Sequence, residues 1–151
     1  MNSPPDMMPR CEVLSSQERV REVVEISKPA EQVALDVQSE GPGAVGANLA
    51  SVSLCFEPGV AYYAPLDLKK TGNEGILYEL RPLLGAGGPP KVMHDAKPGL
   101  MVLAQSAIET GTPAFDTLLA AFVIEGKSRG LEDLIADRLG LSLQKREARG
   151  S

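Results

Sequence analysis

The sequence predicts one α/β domain in which a mixed sheet is flanked by helices. Three observations carry that prediction. The length of 151 residues suits one domain better than two. Hydrophobic residues make up 43% of the chain but aromatics only 4%, with no Trp, so the core has to be filled by Leu, Val, Ile and Ala. Apolar runs of strand length also alternate with stretches of helical period.

Residues 1–12 contain three prolines and no periodic pattern, which predicts disorder. Ser15 followed by Glu18 forms a capping box at the start of a helix. Val20, Val23 and Val24 supply its apolar face until Lys28-Pro29 ends it. Gln32 to Val37 reads as the first sheet strand, closing near Asp36, and a glycine-rich connection runs from Gln38 to Asn48. Leu49 to Phe56 and Val60 to Leu66 are two strands, and the tight joint Glu57-Pro58-Gly59 makes them a hairpin. Ile76, Leu77, Leu80, Leu83 and Leu84 mark a helix on a sheet face, halted by Gly85-Ala86-Gly87-Gly88. Lys91 to His94 is a fourth strand and Leu100 to Ile108 a helix. Phe115 to Ile124 is another helix with Asp116 as its cap, and Gly130 to Leu139 is the last. Antiparallel strands that lead into a strand–helix crossover give a mixed sheet.

Composition removes several function classes. No run of 18 apolar residues is present, so no membrane span is expected. The first residues lack the basic and apolar regions of a signal peptide, and the chain is read as cytoplasmic. Cys11 and Cys55 have no CxxC partner and are expected as free thiols. The formal net charge is -5, and the one basic concentration, Lys145-Arg146-Glu147-Ala148-Arg149, is interrupted by Glu147. That is a poor phosphate track, so DNA binding by this chain alone is expected to be weak.

The candidate sites are few. Gly85 to Gly88 follows a helix and precedes a strand, the wrong context for a phosphate loop, so it reads as a helix stop. His94 is the only histidine. Asp95 is beside it, but no nucleophile stands at a recognisable elbow, and a structural or surface role is the simpler reading. Asp36 is better placed, because α/β folds handle ligands at the C-terminal ends of sheet strands. Two-metal phosphoryl chemistry would need further carboxylates converging on it. Glu40 lies in a connection, Asp95 follows His94, and Asp116 is already explained as a helix cap. Asp133 and Asp137 share a charged helix face that reads as solvated surface.

Four segments, taken together, carry a resemblance. They are Val33-Ala34-Leu35-Asp36-Val37-Gln38, Val52 to Pro65 with its Glu57-Pro58-Gly59 joint, Lys91-Val92-Met93-His94-Asp95-Ala96-Lys97, and Phe115-Asp116-Thr117 with the apolar residues to Phe122. Their order and spacing over about residues 13–143 resemble the 3′–5′ exonuclease, or proofreading, domain of family A bacterial DNA polymerases of the polymerase I type. The resemblance implies a ribonuclease H-like fold and, in active members, two metal ions held by four acids. Asp36 matches the aspartate of the first motif, Asp-x-Glu, but Gln38 stands at its glutamate. In the second motif Gly99 stands at the aspartate. The third motif would follow beyond Ser151, so the resemblance implies a domain truncated at its C-terminus.

These correspondences set the expectations. Residues 13–143 would be an incomplete exonuclease-like domain, with 1–12 a disordered segment and 144–151 a tail. Asp36 would be the only family acid retained, so no catalytic, cofactor-binding or metal-binding residue is assigned. The chain would be an inactive part of a DNA-directed DNA polymerase, supporting the polymerase domain in replication and repair. Mg²⁺ is expected for the parent polymerase and no cofactor for this part. The expected partners are the polymerase domain and, through the parent, DNA; no membrane is expected. Leu139, Leu141 and Leu143 would belong to an apolar surface facing the rest of that parent. A truncated but active two-metal exonuclease and a stand-alone interaction module are the alternatives.

Overall fold

The computed structural model describes residues 9–42, 46–66 and 72–143. Strands β1 (Arg10–Val13), β2 (Val33–Glu40), β3 (Asn48–Glu57), β4 (Val60–Pro65), β5 (Lys91–Met93) and β6 (Phe115–Asp116) form one sheet in the order β1-β4-β3-β2-β5-β6. The strands β2, β3 and β4 are antiparallel neighbours, whereas β1 joins β4, β5 joins β2 and β6 joins β5 in parallel. The mixed sheet is therefore as expected. Helices α1 (Gln17–Ser27), α2 (Asn73–Leu84), α3 (Ala96–Gln105), α4 (Thr117–Glu125) and α5 (Leu131–Leu139) accompany it. Among the described residues no helix is long and apolar enough to cross a membrane.

Several local expectations need correction. Residues 10–12 are not disordered: they belong to β1, which lies beside β4 with Cys11 opposite Ala61. The remainder of that segment, residues 1–8, and the tail at 144–151 lie outside the described residues. The cap of α1 is Ser16, one residue later than the capping-box reading, and its side chain accepts from the Arg19 N–H at 3.2 Å. Helix α3 begins at Ala96, four residues early, because Pro98 falls in its first turn, where proline costs no internal hydrogen bond. Phe115 and Asp116 are a short strand that precedes α4 rather than its first turn.

Alternation along the strands creates two unlike faces. Val33, Leu35, Val52, Leu54, Tyr62, Ala64 and Met93 form one apolar core with α1, α2 and α3, which contribute Val20, Val23, Leu80, Leu84 and Leu103 among others. Aliphatics fill it as the composition required; Tyr62 is its one buried aromatic, stacked on Phe56 with centroids 5.3 Å apart. Truncating a buried leucine of such a core typically costs about 2–5 kcal/mol. Lys91 is buried there too and donates through Nζ to the Gly85 carbonyl at 2.5 Å, capping the end of α2; burial pushes its pKa down. Gly88 keeps this connection tight. A Cβ there would sit 2.5 Å from the Leu83 carbonyl oxygen, so the glycine-rich stretch is the helix stop that the sequence predicts.

Candidate functional site

The opposite face of the sheet carries the small and polar residues. Register places Ala34 beside Cys55 and Asp36 beside Ser53. With Val92, His94, Thr117 and Leu131 they line a cavity of about 270 Å³. Asp36 is its only carboxylate, and neither lysine nor arginine contributes to the lining. Asp36 is exposed, two residues from Gln38 on the same strand face, and the Gln38 Nε2 donates to Asp36 Oδ2 at 2.6 Å.

His94 is at the end of β5. Its Nδ1 lies 2.8 Å from the Thr117 hydroxyl, which itself donates to the Met93 carbonyl at 3.4 Å. The Thr117 hydroxyl can accept from Nδ1–H or donate to a bare Nδ1, according to the tautomer of the ring. Thr117 is a partner that sequence reasoning missed. Its signal was the Phe115-Asp116-Thr117 run, but the 23-residue separation from His94 concealed the contact.

The other acids are elsewhere. Glu40 ends β2, four residues or roughly 13 Å along the strand from Asp36. Asp95 and Asp116 line a different cavity, between α3 and α4. Asp116 caps α4 through the Leu118 N–H and also accepts from the Asp95 and Ala96 N–H groups. Asp95 has a positive φ of 55°, a strained value for a residue other than glycine that the Asp116 carboxylate helps to hold. Asp137 is bound to Arg129, and Asp133 is an exposed residue of the first turn of α5. Gly99 lies in the first turns of α3 against β2, where an added Cβ would be 3.1 Å from Val37 Cβ and 3.3 Å from Met93 Cε. Among the described residues no group of three or more His, Cys, Asp or Glu is arranged to hold a metal ion. Both thiols are free.

Comparison with known proteins gives this geometry a context. The sequence profile of the 3′–5′ exonuclease family found in A-type DNA polymerases matches residues 11–151. DNA polymerase I of Chloroflexus aurantiacus is 26% identical over 129 residues, which are 83% of this chain and 14% of that protein. The chain thus spans about one-seventh of that curated relative. Among solved structures, the Pol1 of M. smegmatis in complex with DNA primer-template and dNTP aligns with a TM-score of 0.71 at 22% identity. The match covers 89% of this chain and 23% of that one. Escherichia coli RNase D, an exoribonuclease involved in structured RNA processing, aligns with a TM-score of 0.72 at 19% identity over 93% of this chain and 36% of its own. The fold is that of the ribonuclease H-like exonucleases.

Proposed function

The chain belongs to the 3′–5′ exonuclease family, and we propose that it is a non-cleaving member, a structural domain of a polymerase I-like protein. The Gln38–Asp36 contact carries this reading. In the family's first motif a second carboxylate belongs at the position of Gln38. Here an amide donates its hydrogen into the one carboxylate of the cavity. Such a donor competes with a cation for the same oxygen and adds no negative charge.

The chemistry that the family performs with Mg²⁺ needs carboxylates converging around two ions about 3.5–4 Å apart. The described residues do not fit that demand. Asp36 is alone in its cavity, Gly99 offers no ligand, and Asp95 lines the other cavity. The similarity to a DNA polymerase I supports a parent of that type, with DNA reached through the polymerase part. Leu139, Leu141 and Leu143 are about half exposed, which supports an apolar contact between this end of the domain and the rest of such a parent.

The test is direct. The chain is incubated with 5′-labelled single-stranded DNA and Mg²⁺ or Mn²⁺, and Mn²⁺ binding is measured by calorimetry. No shortening and no saturable Mn²⁺ binding are expected. Stepwise shortening that disappears in Asp36→Asn would overturn the proposal.

A further inference from the structure

The family implies divalent cations held by carboxylates at positions 38 and 99 beside Asp36, and Gln38 and Gly99 do not fit them. More is involved than a shortage of acids, because each of the two positions is taken up by another contact.

Gly99 is the fourth residue of α3. Glycine weakens a helix relative to alanine, so its presence there calls for a reason. The reason is the approach of α3 to β2. A Cβ at 99 would be 3.1 Å from Val37 Cβ, 3.3 Å from Met93 Cε and 3.4 Å from Val37 Cγ2. Carbon atoms in ordinary contact are about 3.5–4.0 Å apart. The Met93 methyl group can swing aside. Val37 Cβ cannot, because it is fixed to the backbone of β2, which is paired there with Val52 of β3. Val37 also packs on the apolar core, whereas its neighbour Asp36 lines the cavity on the opposite face of the sheet. A carboxylate introduced at 99 therefore starts against apolar groups on the core side of the strand, where its charge is poorly solvated.

Gln38 takes up the other position. Its Nε2 is 2.6 Å from Asp36 Oδ2, the oxygen that a cation would have to approach. The register of β2 against β3 shifts between Gln38 and Ser39, and an irregularity of this kind re-aims the side chains beside it.

We propose that the cation site is closed by these contacts, so that carboxylates returned to positions 38 and 99 do not recreate it. Gly99 is what lets α3 lie this close to β2, and any side chain there forces the two elements apart. The closure rests on the non-cleaving reading, yet the two can fail separately.

Gly99→Ala, Gln38→Glu and the double variant Gln38→Glu/Gly99→Asp are compared with the wild type by thermal melting, with and without Mn²⁺, and by Mn²⁺ calorimetry. In an uncrowded helix Gly→Ala raises the melting temperature. Here Gly99→Ala is expected to lower it by at least about 2 °C, because the added methyl group overpacks the contact with Val37. Gln38→Glu and the double variant are expected to show no saturable Mn²⁺ binding below about 1 mM and no rise in melting temperature with Mn²⁺. If the double variant does not fold, Gly99→Ala and Gln38→Glu still decide. A Gly99→Ala protein that melts higher than the wild type overturns the closure. So does Mn²⁺ binding gained by either acidic variant and lost again with Asp36→Asn, while the wild type stays inactive on DNA. Stepwise shortening of DNA by the wild type itself overturns the non-cleaving reading, and the closure with it.

Discussion

At Asp116 one carboxylate accepts backbone N–H groups from Asp95 at 3.0 Å, Ala96 at 2.8 Å and Leu118 at 2.9 Å, so it caps α4 and fixes the entry to α3 together. Burial pushes its pKa up, but the N–H bonds from Ala96, Asp95 and Leu118 outweigh that and hold it below the ordinary aspartate value. The folded pKa is thus depressed relative to the unfolded chain. Its stabilisation is fully present above the unfolded value and is lost as pH falls through the folded one. Asp116→Ala should cost about 2 kcal/mol near neutral pH, a lost cap plus N–H groups left without an acceptor. The difference from wild type should shrink in strong acid, as pH falls through the depressed folded value and the native carboxylate also protonates. Urea unfolding of both proteins at the two pH values measures this, and a gap that stays constant would remove the charge from the explanation. The cap on α4 was legible in the sequence because it is local. The bonds to Asp95 and Ala96 were not, since β5 and β6 must first pair across some 20 residues. Gly99 gives the same lesson. Its lack of a ligand could be read directly, but the closeness of Val37 and Met93 depends on how α3 approaches β2.

Helix α5 shows how an element is held without a buried residue of its own. Leu134 and Ile135 are only half-buried, and Leu131 is 40% exposed. Arg129, near the end of the connection, bonds Glu125 at the end of α4 at 2.8 Å and also Asp137 on α5, while Arg138 reaches Glu125 at 3.1 Å. The hydrogen bond from Arg129 lowers the pKa values of both Glu125 and Asp137. These contacts are therefore complete above the ordinary carboxylate range and fail as pH falls through the depressed values. They are also open to screening by salt. Amide hydrogen exchange in α5 should accelerate with added salt or with Arg129→Gln, while α2, with five buried apolar residues, stays unchanged. Equal acceleration in both helices would show that α5 does not open by itself. Among the elements, the hairpin and α2 announced themselves through turn residues and periodicity. Strand β1 did not. Arg10-Cys11-Glu12-Val13 has a single aliphatic residue and becomes a strand through its pairing with β4.

For the whole molecule, charge decides how this domain can meet DNA. The chain carries 15 basic and 20 acidic residues, and the cavity on the open sheet face has one acid and no lysine or arginine in its lining. A strand laid across that cavity would bring phosphates toward Asp36 with no lysine or arginine in its lining to offset them. Affinity from the phosphate backbone comes from neutralised phosphates, each contributing roughly -0.7 to the slope of log K against log salt for single strands. A surface that neutralises few phosphates has both a low affinity and a shallow slope. The similarity to a polymerase I structure with bound DNA shows a shared fold and supplies no contact of its own. Fluorescence anisotropy of a labelled single-stranded oligonucleotide, titrated at several salt concentrations, is expected to give dissociation constants weaker than micromolar at physiological salt and a slope shallower than about -2. Asp36→Asn, which removes the negative charge from the cavity while leaving an acceptor, should tighten binding slightly if DNA crosses this face and leave it unchanged if DNA avoids it. Sub-micromolar affinity with a steep slope would mean that the folded surface gathers its scattered cations into a track, and the domain would then be a DNA-holding element in its own right.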